Sequence, residues 1–106
     1  MQKINLAEKL FRIQKHYDPH IAGELNGQLV KLVKFKGEFV WHHHDNEDEF
    51  FYVVSGRFLI DLEDRTIDLA PGKAVVIPKG VMHRPRAPER TVILMVERAG
   101  IVPTGT

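Results

Sequence analysis

The spacing of turn residues constrains this chain more than any other feature. Asn26-Gly27, Gly37, Ser55-Gly56, Pro71-Gly72 and Pro78-Lys79-Gly80 cut the sequence into short apolar runs rich in Val, Ile, Phe and Tyr, the pattern of strands rather than helices. Asn-Gly suits both central positions of a type I′ turn, so residues 21–25 and 28–36 are expected to pair as a hairpin. A strand is expected over residues 38–44, with 50–54 as its partner. A second hairpin joins 58–62 to 67–69 through Glu63-Asp64-Arg65-Thr66, and 74–77 reads as a short apolar strand. Arg84-Pro85-Arg86-Ala87-Pro88 cannot be a helix interior, and 91–96 is the last clear strand. Only the first turns differ. Asn5 is placed to cap a short helix, with Glu8 reaching back in a capping box, and Leu6, Leu10 and Ile13 form a stripe beside Ala7 and Phe11 that must bury against a sheet or a second subunit. The expectation is an all-β sandwich or barrel with a short N-terminal helix and no internal repeat.

The chemistry is concentrated in Trp41-His42-His43-His44-Asp45-Asn46-Glu47-Asp48-Glu49. On a strand, His42 and His44 point to one face and His43 to the other. The acidic run can add a carboxylate, with Glu47 and Glu49 sharing a face that Asp48 opposes. His83 follows the Pro78-Lys79-Gly80 turn. Three neutral imidazoles and one carboxylate suit a single divalent transition ion such as Mn, Fe, Co, Ni or Zn and leave positions for water or substrate. The bland alternative is a vestigial site with a solvated acidic face. His16 and His20 flank a proline loop and are expected at the surface, the alternative being a weak second metal site. His43 is expected to face away from the ion as a packing, interface or rim residue, the alternative being an acid-base role at a subunit boundary.

With 106 residues and 43% hydrophobic content the chain suits one domain, 1–106, around one core. Fifteen Lys and Arg against fourteen Asp and Glu leave a formal charge of +1, with no basic stripe among aromatics, so neither nucleic acid nor an anionic membrane is an expected partner. The absence of cysteine excludes disulfides, thiol nucleophiles and thiolate metal sites. No apolar stretch suits a signal peptide or a membrane span, and a cytoplasmic protein is expected.

Residues 37–56 resemble the first cupin motif: Gly37, then His42-x-His44, then Glu49, then Gly56, with one residue fewer than usual between Gly37 and His42. Gly72, Pro78, Gly80 and His83 match the second motif, G-x5-P-x-G-x2-H, although Ala87 stands where a trailing asparagine is usual. The whole chain is similar to small bacterial single-domain cupins, some of them named for a likeness to the cupin part of mannose-6-phosphate isomerase. The resemblance implies a double-stranded β-helix, a jelly-roll-like barrel, that holds its metal through His42, His44, Glu49 and His83. Glu49 is preferred over its acidic neighbours because Gly56 sets the register and turns Glu49, Phe51 and Val53 inward.

Metal cupins include isomerases, epimerase-like enzymes, decarboxylases and dioxygenases, so the resemblance implies a small metalloenzyme. The alternative is a non-catalytic metal- or small-ligand-binding module; an interaction-only scaffold is weaker still. Val40, Phe51, Val53, Phe58, Ile60 and Leu94 are candidates for the pocket wall or for plain core. Lys31, Arg84 and Arg86 are the basic groups available for phosphate, and Tyr17, Tyr52 and Glu24 are candidate general bases. Apolar walls favour a small hydrophobic or carbonyl-bearing substrate over a sugar phosphate. Exposed edges and nearly continuous apolar strands predict a homodimer, built by sheet extension or by exchange of the N-terminal segment. Because imidazole ligates only when neutral, metal loss is expected as pH falls toward about 5.

Overall fold

The computed structural model describes residue 1 and residues 3–105. The elements in chain order are α1 (Leu6–Arg12), β1 (His20–Leu25), β2 (Gln28–Glu38), β3 (Glu49–Ser55), β4 (Phe58–Asp61), β5 (Thr66–Leu69), β6 (Ala74–Ile77) and β7 (Arg84–Arg98). All strand pairs are antiparallel, in the order β1-β2-β7-β3-β6, with β4 joined to both β5 and β7. No helix among the described residues is long and apolar enough to cross a membrane.

The helix begins where Asn5 predicts. The Glu8 N–H donates to Asn5 Oδ1 at 3.1 Å, but the Glu8 carboxylate accepts from Arg12 one turn on instead of reaching back, so the capping box is half made. Ile13 is buried, Leu6 and Leu10 are half-buried, and Phe11 faces outward. At the β1–β2 turn, Asn26 and Gly27 both have positive φ, 51° and 76°, as a type I′ turn requires.

The long strand β7 organises the rest. Along one edge it pairs with β2 from Gln28↔Arg98 to Glu38↔Arg86. Along the other its two halves take different partners, β4 at Arg84–Arg86 and β3 at Val92–Val96. The sheet therefore curls around one interior. Alternation places Val33 and Phe35 of β2, Phe51 and Val53 of β3, Phe58 and Ile60 of β4, and Ile93 and Met95 of β7 in one buried cluster.

Three expectations need correction. Residues 38–44 are not a strand: β2 ends at Glu38, and the segment beyond it has one isolated bridge, His42 to His83. The last strand begins at Arg84, because Pro85 and Pro88 sit where their missing N–H groups cost the ladder little and Pro85 still accepts from Phe39 N–H at 2.9 Å. Val40 is exposed and Leu94 lies on the outer side of its strand, whereas Ile93, Met95 and Glu97 face the interior.

Gly56 marks the tightest backbone approach. Its φ is +90°, and a Cβ there would lie 2.6 Å from the Arg90 carbonyl oxygen and against Thr91 Oγ1. Thr91, fully buried, accepts from Arg57 N–H and is within donating distance of the Arg57 and Glu89 carbonyls. Gly56→Ala is expected to cost on the order of 2 to 4 kcal/mol, read as a shift in the urea midpoint; a change below about 0.5 kcal/mol would contradict this close packing.

Candidate metal centre

Two irregular segments carry the site, and backbone hydrogen bonds lace them together. Phe39 N–H donates to the Pro85 carbonyl, His42 and His83 exchange two N–H to O bonds of 2.9 Å each, and Gly80 N–H donates to the His44 carbonyl at 2.8 Å. The Asp48 carboxylate accepts from Lys79 N–H at 2.8 Å and pins the turn that leads to His83. Glu49 opens β3, opposite Ile77 of β6.

This lacing brings His42, His44 and Glu49 together as a buried group that can hold a metal ion, each offering one donor atom, all within 4.8 Å of one another. His83 converges on the same carboxylate: its Nε2 lies 3.3 Å from Glu49 Oε1, and His44 Nε2 lies 3.2 Å from it. Its ring is 4.3 Å from that of His42 and 6.2 Å from that of His44, centroid to centroid.

The hydrogen bonds around these residues fit a metal. His42 and His83 are each placed to donate from Nδ1 to the carbonyl two residues back, Val40 at 2.8 Å and Val81 at 2.9 Å, which leaves both Nε2 lone pairs free. The buried His44 Nδ1, His44 Nε2, His83 Nε2 and Glu49 Oε1 have no hydrogen-bond partner. Buried polar atoms left unpaired cost on the order of 1 to 3 kcal/mol each. Two ligands about 2.1 Å from one ion are separated by roughly 3.0 to 3.4 Å in octahedral or tetrahedral geometry, so one shared cation would satisfy Glu49 Oε1, His83 Nε2 and His44 Nε2 at the 3.2 and 3.3 Å separations observed, while His44 Nδ1 faces away from it. Burial lowers the pKa of both His42 and His44, favouring the neutral ligating form. Burial pushes the Glu49 carboxyl up, but the His83 and His44 imidazoles outweigh it and the net shift is downward.

The alternative carboxylates are used elsewhere: Glu47 accepts from Arg98 at 2.8 Å and Asp48 is taken up by Lys79. His43 turns outward to Asp45, 2.9 Å away. His20 stands 3.1 Å from Asp18, and His16 is half-buried rather than at the surface. None of the three candidate bases is free in the cavity beside the site. Tyr17 lines it but spends its hydroxyl on the Lys36 carbonyl, Tyr52 pairs with Leu94 away from the interior, and Glu24 is exposed. Phe51, Val53, Phe58 and Ile60 are core and do not line this cavity. The basic groups available for phosphate are also committed. Arg84 and Arg86 both donate to Asp61, holding its carboxyl well below the usual range, and Lys31 donates to Glu97 at 2.7 Å.

Glu97 is the residue that the sequence did not point to. It is 4% exposed and lines the cavity alongside His42 and Glu49. Burial pushes its carboxyl up to about 7, against the Lys31 hydrogen bond and with further upward pressure from Glu49. Glu97 lies one residue beyond the strand expected over 91–96; its position two residues beyond inward-facing Met95 was the signal that could have placed it inside.

Residues 29–97 match the Cupin_2 family, described as a cupin domain. The chain is a cupin. Among its relatives is the uncharacterised protein YdbB of Bacillus subtilis (strain 168), 45% identical over 85 residues, which are 79% of this chain and 74% of that one. A crystal structure of a cupin-2 domain protein from Shewanella frigidimarina superimposes with a TM-score of 0.88 at 42% identity, covering 90% of this cupin and 93% of that chain. Hydroquinone 1,2-dioxygenase from a Sphingomonas species, solved with 4-hydroxybenzoate bound, shares the fold at a TM-score of 0.80 and 18% identity over 91% of this chain and 32% of that one.

The raised Glu97 carboxyl has a signed consequence for stability. The native state holds its proton up to about pH 7, whereas an unfolded glutamate releases it near pH 4.3, so folding is progressively disfavoured as pH rises between those values. In metal-free protein, Glu97→Gln is expected to gain stability relative to the wild type from pH 5 to pH 8, by on the order of 1 to 3 kcal/mol. Denaturant midpoints at the two pH values measure this, and a pH-independent difference would contradict it.

Proposed function

We propose that the chain is a single cytoplasmic cupin domain that binds one divalent transition ion through His42, His44, Glu49 and His83, and acts as a small metalloenzyme on a small hydrophobic or carbonyl-bearing molecule. The observation that carries this reading is the convergence of buried imidazole nitrogens and a carboxylate oxygen that face one another and make no hydrogen bond among the described residues. Bound there, a divalent ion supplies Lewis acidity toward a carbonyl or enediol, and iron supplies dioxygen chemistry, which spans isomerase, decarboxylase and dioxygenase reactions.

The protein's own residues supply orientation and exclusion of water. The Val40 and Val81 carbonyls fix the tautomers of His42 and His83. Lys31 anchors Glu97, and Glu97 flanks Glu49, so the ligand carboxylate is supported from behind. Val33, Phe35, Phe39 and Met95 give the cavity beside the site its apolar wall, which favours an uncharged substrate. A second reading, a non-catalytic metal- or ligand-binding module, is favoured by the size of that cavity, about 40 Å³, too small for an organic substrate as it stands.

Elemental analysis of protein purified without added metal is expected to find one transition ion per chain. His42→Ala or His83→Ala should lose it and with it any turnover on a panel of small carbonyl compounds, and the wild type should release the ion as pH falls toward about 5. A wild type without metal refutes the proposal; metal without turnover across the panel, oxygen uptake included, selects the second reading.

We also propose a homodimer. Phe50, Tyr52, Leu94 and Val96 share the half-buried outer side of the sheet, with Val76 more than half exposed, an apolar surface that a second copy would cover. Light scattering at micromolar concentration is expected to give twice the chain mass, and a monomer would exclude it.

A further inference from the structure

The cavity beside His42 and Glu49 has aromatic faces on one side, where Tyr17 stacks on Phe39 at 5.4 Å and meets Phe35 edge-on at 5.1 Å. No lysine or arginine lines it, and two carboxylates, Glu49 and Glu97, do. A charged acid would enter with no countercharge, whereas a neutral ring would meet matching surfaces. Yet about 40 Å³ suffices for water and falls well short of the roughly 150 Å³ in which a benzene ring is held. For any ring to enter, a wall must move.

The walls are not equally fixed. Val33, Phe35 and Met95 belong to the paired strands β2 and β7. Tyr17 is tied to β2 twice, by its N–H to the Lys34 carbonyl at 2.8 Å and by its hydroxyl to the Lys36 carbonyl. Pro103 differs. It stands on the turn 99–105 that follows β7, where among the described residues the one backbone hydrogen bond is internal, Gly105 N–H to the Val102 carbonyl at 3.1 Å. The turn is seated on the barrel by contact: a Cβ on Gly105, whose φ is +136°, would lie 3.4 Å from the His43 carbonyl oxygen and 3.7 Å from His42 Cβ. On its other side, Ala99, Gly100 and Ile101 border a polar cleft of about 270 Å³, so the turn has space to move into. Its displacement breaks no hydrogen bond to the sheet, the property of a segment that opens at low cost.

We propose that this cavity is a binding site for a flat, uncharged ring and that the turn 99–105 is the wall that swings out to widen it. This deepens the function proposed above by naming the class of molecule the site takes, and it explains how a pocket too narrow at rest serves a reaction.

Toluene is the neutral probe and benzoate its charged counterpart, each titrated by calorimetry and followed by NMR exchange, in protein stripped of metal and again with zinc restored. Wild-type protein is expected to bind toluene at one saturable site, and stripped protein to bind benzoate at least about tenfold more weakly. Gly105→Val, which unseats the turn, and Pro103→Ala, which lowers the wall, are each expected to speed toluene association on the order of tenfold by raising the open fraction. Two variants guard against one that misfolds, and circular dichroism checks both. Absence of saturable toluene binding in the wild type, equal affinity for benzoate in stripped protein, or an unchanged association rate in both folded variants would overturn the proposal. Failure to retain zinc would instead count against the metal reading and leave the toluene result in stripped protein standing.

Discussion

Two backbone hydrogen bonds between His42 and His83 decide where the donor atoms of this cupin lie. They join a segment that follows β2 to one that precedes β7, and neither segment has a strand's regular ladder. The exchange fixes both peptide planes, and each imidazole then locks itself through the carbonyl two residues back in its own chain. The resulting site is rigid without being regular. His44 and Glu49 complete it from an adjoining loop and from the first residue of β3, so the carboxylate inherits the order of the sheet while the histidines inherit the order of the bridge.

That division explains what could be read from the sequence. The turn residues announced the β architecture, Asn5 its helix start and Asn26-Gly27 its first hairpin, because each acts through local backbone geometry. Glu49, Phe51 and Val53 turn inward as strand alternation and Gly56 require. The inference that residues 38–44 form a strand failed on the backbone and succeeded on the side chains: His42 and His44 are buried and His43 is not, since two-residue alternation survives in extended chain that lacks a continuous ladder. The extent of β7 was hidden by Pro85 and Pro88, whose cost depends on which edge lacks a partner, a tertiary fact.

The basic residues were legible as cations but not by purpose. Arg84 and Arg86 lie one on either side of Pro85, so when Pro85 faces inward both turn to Asp61, which accepts from both. Lys31 and Glu97 lie 66 positions apart, and nothing local in either signals the other. Such a buried pair becomes visible only once β2 and β7 are in register, with Lys31 opposite Met95 and Glu97 opposite Leu29.

The sharing of β7 among three partners also bears on how this protein comes apart. A domain assembled from separate hairpins can lose one and keep the remainder, but here β2, β3 and β4 all borrow an edge from the same strand. Detaching it strips all three of that edge together and leaves only the pairs β1–β2, β3–β6 and β4–β5, and the segment leading into it takes His83 away from Glu49 at the same moment. Loss of this one strand thereby undoes the barrel and scatters the candidate donor atoms in the same event.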